Sequence, residues 1–168
     1  VMMQGFMEST VNGTFDLFLT GINPETSEAL RRQSAKDPRV TVHEGIPYRE
    51  LLKTLNDFDV GVFLLPPITH NYKWALPNKL FDNVQARLGQ IVSPNPEMAK
   101  VVARHSLGVV TDGYEAADLT RVLDVLTEED VAAWKLSAHE NALRLSAESE
   151  VPKWRSAIEA LKHRGTAD

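Results

Sequence analysis

Asp59-Val60-Gly61-Val62-Phe63-Leu64-Leu65 is an almost unbroken apolar run, closed at once by Pro66-Pro67. A run of this length bounded by prolines reads as a strand buried on both faces, the pattern of a parallel sheet. Working back from it, Pro47–Asn56 places Tyr48, Leu51, Leu52 and Leu55 on one helical face, and Val40–His43 is a short strand before that helix. Working forward, Pro77–Leu88 reads as a helix with Leu80, Phe81, Val84 and Leu88 on one side, and Gln90–Ser93 as a strand. Asn95-Pro96 supplies an N-cap and a first-turn proline for a helix that buries Met98, Val101 and Val102. Leu107–Thr111 is the next strand and Ala116–Leu126 the next helix.

Upstream, Thr14–Thr20 is a strand ending at Gly21, and Thr26–Ser34 a helix. Met2–Met7 reads as the first strand. Only about seven residues, with an Asn12-Gly13 turn signal, then precede the second, whereas a parallel crossover takes a dozen or more. Either a segment is absent there or the first strand lies elsewhere. The tail contains no strand signal. Thr127 and Asp130 make a capping-box pattern for a helix carrying Val131, Trp134, Ala138, Ala142 and Leu145, and Pro152–His163 is a second helix. Spacing makes Trp134 and Trp154 packing residues. Strand–helix alternation closed by helices predicts an α/β fold, an open doubly wound, Rossmann-like parallel sheet over residues 1–126, with C-terminal helices over 127–168.

Composition agrees with a globular chain: 168 residues, 43% apolar and 24% charged, net charge −5. At this size about 68–70% of the unfolded surface can be buried without disulfides or structural metals. No cysteine is present, which removes thiol chemistry and thiolate metal sites and suits a reducing cytosol. The acidic balance argues against nucleic acid as partner. No run is long enough to span a bilayer, and Val1–Phe6 lacks the basic start of a signal peptide. A first residue that is Val rather than Met suggests a piece of a longer protein. Dinucleotide, P-loop and nucleophile-elbow glycine motifs are all missing. The five histidines lack metal-ligand spacing, so no metal is expected. A receiver domain would need an aspartate where Leu64 and Leu65 stand.

The chemically suggestive stretch is His70–Asp82, HNYKWALPNKLFD, which leaves the carboxyl end of the strongest strand and enters a helix at Pro77-Asn78. In an open α/β sheet that position lines the ligand crevice. Asn78 and Asp82 share a helical face, and the first-turn amides with Lys79 favour a phosphate. Asp82 can accept hydrogen bonds from ribose hydroxyls, so the group suits a nucleotide diphosphate. A plain helix start with a solvated Lys79–Asp82 pair fits the same residues.

ALPNKLFDNVQARLGQIVS (75–93) resembles the P-N-K-L-F-E segment of the C-terminal, donor-binding domain of GT-B glycosyltransferases. RVTVHEGIPYRELLKTLNDFDVGVFLLP (39–66) is similar to the stretch that precedes it, in the same order and spacing, and TFDLFLTG (14–21) to the earlier strand. The resemblance implies one half of a GT-B enzyme, with a nucleotide diphosphate sugar as substrate and neither metal nor cofactor. On it, Asp82 contacts the ribose, Asn78 and Lys79 the diphosphate, and Gly45, Ile46 and Pro47 the base. Gly5 stands in the loop after the first strand, and Lys73 can help neutralise the diphosphate. The acceptor, a glycan or lipid, would be held by a missing N-terminal domain. The protein would be cytoplasmic, and peripheral at the membrane at full length. Departures are Asp82 for glutamate, the lost proline in Ala86–Val92, no basic pair near Gly5, and no upstream glutamate in Thr69–Leu76. They motivate a second reading, a non-catalytic α/β module binding a nucleotide or a protein.

Overall fold

A computed structural model describes residues 1–164, with side chains through Leu161. The last four residues of the 127–168 tail, and the side chain of His163, lie outside it. Its elements are α1 (Met2–Glu8), β1 (Phe15–Leu19), α2 (Pro24–Ser34), β2 (Val40–Glu44), α3 (Tyr48–Leu55), β3 (Val60–Phe63), the one-turn α4 (His70–Lys73), α5 (Asn78–Gln85), β4 (Gly89–Val92), α6 (Pro96–Arg104), β5 (Gly108–Val110), α7 (Ala116–Asp124), α8 (Glu128–Asn141) and α9 (Ala147–Arg164). Every strand pairing is parallel. β1 pairs with β2, Phe15 opposite Val40, and β4 lies between β3 and β5, with Val62 opposite Ile91 and Ile91 opposite Val109. The strands therefore form two hydrogen-bonded ladders, β1-β2 and β3-β4-β5.

The alternation read from the sequence holds from β1 onward. The first element does not: Met2–Glu8 is a helix, and the strand expectation for Met2–Met7 fails. Its apolar residues repeat with helical spacing, so Met3 and Phe6 are buried together at i, i+3, with Gly5 beside them. The helix lies against α7, where the Thr120 hydroxyl donates to Gly5 O at 2.9 Å.

Two cores flank the strands. One joins Leu80, Val84, Val92, Met98, Val102 and Leu107 with Ala138 and Ala142 of the tail. The other joins Met3, Phe6, Val40, Leu64, Ile91, Leu119 and Leu123. α8 opens with the expected capping box: Thr127 Oγ1 accepts from Asp130 N–H at 3.1 Å, and Asp130 Oδ2 from Thr127 N–H at 3.2 Å. Trp134 packs against the second core. Trp154 does not pack: it is 69% exposed, as α9 turns Ile158 and Leu161 outward with it. α9 also begins at Ala147 rather than Pro152, because the Ser146 hydroxyl receives Ser149 N–H at 3.3 Å and starts the helix earlier.

Asn95 precedes Pro96 as expected, yet its side chain does not cap α6. It is buried and turned across the sheet, donating to Leu65 O at 3.1 Å and Tyr72 O at 2.8 Å. Ser93 Oγ donates to Asn95 Oδ1 at 2.6 Å and accepts from Leu65 N–H at 2.8 Å. Two fully buried polar side chains thus clamp both ends of the segment that follows β3, which a satisfied buried network can do rigidly.

Candidate functional site

β3 ends at Phe63, and the chain then runs through Pro66-Pro67 and α4 to Pro77, the N-cap of α5. Proline offers no side-chain acceptor there, so the first-turn amides of α5 carry no side-chain cap. Three contacts hold this helix in place. Gln90 Nε2 donates to Leu80 O at 2.9 Å, Asn56 Nδ2 to Ala86 O at 2.8 Å, and Gln85 Nε2 to Ala142 O at 2.8 Å. Gly61 is the fourth device: a Cβ there would run into the Asn83 amide, so glycine lets α5 sit directly on β3.

A cleft of about 1300 Å³ opens between β1 and β3, with Asn78, Lys79, Asp82, Ile46 and Tyr48 among its lining residues. α3 follows the carboxyl end of β2 and α5 that of β3, so these five residues gather at the carboxyl ends of the strands. Asn78 and Lys79 are exposed; Asp82 is half-buried. Tyr48 Oη donates to Asp82 Oδ1 at 3.0 Å. That hydrogen bond, with the negative charge behind it, holds the Tyr48 phenol above its ordinary pKa of 10.0. Uncapped amides, a lysine and an oriented carboxylate on one rim can meet an anion on one side and hydroxyl groups on the other.

Of the residues singled out in the sequence, Asn78, Lys79, Asp82 and Ile46 therefore share the cleft. Gly45 ends the β2 turn, pressed against Leu19 O and the Thr20 hydroxyl, and Pro47 is the N-cap of α3. Two residues stand elsewhere. Gly5 is buried inside α1, where a Cβ would meet Ala116 O at 2.6 Å; it serves helix packing and is in no loop after a strand. Lys73 does not line the cleft and places its ammonium 5.6 Å from the Trp74 ring centre. Tyr48 was missed. Its position on the apolar stripe with Leu51 and Leu55 marks it for the core, but it is 73% exposed because α3 has no fully buried residue. Its place directly after Gly45-Ile46-Pro47 was the available signal.

Parallel ladders with helices between them, and polar residues at the strands' carboxyl ends, define an α/β fold of the ligand-crevice type. The fold is GT-B glycosyltransferase-like: it is similar to the crystal structure of WaaG, a glycosyltransferase involved in lipopolysaccharide biosynthesis, with a TM-score of 0.59 over 81% of this chain at 18% identity. The match spans 35% of the WaaG chain. No family model and no curated protein matches the sequence. Among the described residues no helix is long and apolar enough to cross a membrane.

Proposed function

We propose that this chain is the donor-binding half of a glycosyltransferase that moves a sugar from a nucleotide diphosphate sugar to an acceptor hydroxyl. The observation that carries the reading is the rim formed by α5 and α3: uncapped amides at Asn78 and Lys79, with Asp82 one turn further on and oriented by Tyr48. In this reading Lys79 and the amides bind the diphosphate, Asp82 accepts the ribose hydroxyls, and Gly45, Ile46 and Pro47 flank the base. Positive charge and helix dipole at that point stabilise the diphosphate as it leaves. No cofactor or metal takes part. The acceptor, a glycan or lipid, is held by a second domain, and the enzyme works in the cytoplasm, peripherally at a membrane. The divisions 1–126 and 127–168 are then donor domain and bracing helices. Exposed Trp154, Ile158 and Leu161 supply a face for that bracing.

Calorimetric titration with UDP, GDP and ADP tests it. One diphosphate binds selectively, and Asp82→Ala weakens it at least about tenfold, equivalent to about 1.4 kcal/mol. Failure of all three to bind overturns the donor reading in favour of a non-catalytic module.

A further inference from the structure

Tyr48 uses its only hydroxyl proton on Asp82: Oη donates to Oδ1 at 3.0 Å. What the pair still offers a ligand is acceptors alone, the lone pairs of Tyr48 Oη and the second carboxylate oxygen, Asp82 Oδ2. Among the described residues no other side chain donates to that carboxylate, Lys79 included, although the two stand three apart on α5. Donation to an ionised group polarises the phenol and makes its oxygen the better acceptor. The same bond keeps the phenol protonated well past neutral pH, so the division into one donor and two free acceptors is fixed there.

Little freedom is left to the phenol. Tyr48 opens α3 directly after Pro47, and Gly45 before it is pressed against Leu19 O, where a Cβ would come within 2.6 Å. Asn56, just past the end of α3, donates to Ala86 O, just past the end of α5, at 2.8 Å. The two helices are thus tied at two points, Tyr48–Asp82 and Asn56–Ala86. Both acceptor residues line the cleft, and the Tyr48 ring is exposed rather than packed, so burial is not what orders it. A preorganised pair of acceptors loses little entropy when a ligand arrives.

Two neighbouring acceptors call for two neighbouring donors. An ionised phosphate has none, and a divalent cation takes about six oxygens, more than this pair supplies. Adjacent hydroxyls on a sugar ring supply one donor each, at the spacing of a hydrogen-bonded pair of oxygens. We propose that Tyr48 is itself a ligand contact, and that its hydroxyl oxygen and Asp82 Oδ2 together receive a vicinal diol, one hydroxyl each. Resting on the donor reading, this makes the site selective for ribonucleoside over deoxyribonucleoside diphosphates. When either hydroxyl is missing, one acceptor is left unpaired, which is how hydrogen-bonding sites reject analogues.

Calorimetric titration of the parent chain with UDP, GDP and ADP, and with the 2′-deoxy and 3′-deoxy forms of whichever binds, tests it. Loss of either hydroxyl weakens binding at least about fivefold. Tyr48→Phe weakens the ribonucleotide by a similar factor. It weakens one of the two deoxy forms no further, because that form already lacks the hydroxyl that Tyr48 receives. Urea unfolding of Tyr48→Phe matches the parent, as an exposed ring requires. A uniform loss across all three ligands makes Tyr48 a positioning residue only and overturns the proposal. Tighter binding in Tyr48→Phe also overturns it, since Tyr48 then competes for the carboxylate. If one diphosphate binds and its deoxy forms bind equally well, the proposal falls and the donor reading stands. If none of the three binds, both fall.

Discussion

β4 and β3 lie side by side in one ladder, yet all four residues of β4 are buried and all four of β3 are half-exposed. β4 has a strand on each side and a helix layer on each face; β3 has a strand on one side only. The same contrast separates the two halves of the molecule. Around β4 the structure is held by apolar side chains with almost no exposure, Ile91, Met98, Val102 and Leu107 among them. Around β1 and β2 polar and charged contacts do more of the work: His43 Nε2 lies 2.6 Å from Asp16, Arg39 Nη2 lies 2.8 Å from Asp37, and Arg31 pairs with Glu44. Burial of a strand is set by its neighbours, and where a neighbour is lacking polar contacts carry more of the load.

The largest effect that would sharpen this contrast is at Ile91. Ile91→Ala removes a fully buried side chain and costs about 2–5 kcal/mol in urea unfolding. Val62→Ala, its cross-strand partner on β3, costs less than half as much; equal losses would break the comparison. Next comes Asn95→Ala, which removes a fully buried side chain and leaves the Leu65 and Tyr72 carbonyls without their donor. It lowers stability by about 1–3 kcal/mol and speeds proteolysis between Leu65 and Leu76.

The charged half responds to acid. The Arg39 side chain donates to the Asp37 carboxylate and, with its backbone N–H and its charge, holds that carboxyl below 3.8. The folded state then binds this proton less readily than the unfolded chain. The contribution is complete above about pH 4 and is lost as pH falls through the lower folded value. Unfolding measured from about pH 5 to about pH 2 shows a shallower acid decline in Asp37→Asn than in the parent chain. The smallest effect lies at the rim. Tyr48→Phe leaves stability unchanged because the ring is exposed, but it frees Asp82 and weakens nucleotide binding. In the parent chain the Tyr48 phenol titrates above 10.0, and Asp82→Asn brings it down in an ultraviolet titration.

Legibility followed the range of the interactions. β3, α5, α6 and the Thr127–Asp130 capping box were readable because periodicity, proline and cap residues act within a few positions. Asn78, Lys79 and Asp82 were grouped by their spacing at the start of α5 and Ile46 by the family resemblance, and all four line one cleft. Met2–Glu8 was misread because a short apolar run fits strand and helix alike; its packing on α7 settles it. Asn95 looked like a cap and became a clamp, and Trp154 looked like core and stayed outside. Whether a side chain faces protein or water depends on which elements arrive beside it.

The sequence by itself determined the α/β alternation, the parallel sense of the strands and the polar rim at their carboxyl ends. Each follows from local patterns of apolar spacing and helix starts. Only the tertiary structure decided that the strands form two ladders, that Tyr48 orients Asp82, and that β3 is half-exposed while β4 is buried. Those are contacts between segments far apart in the chain, and no local pattern encodes which distant backbone will lie alongside.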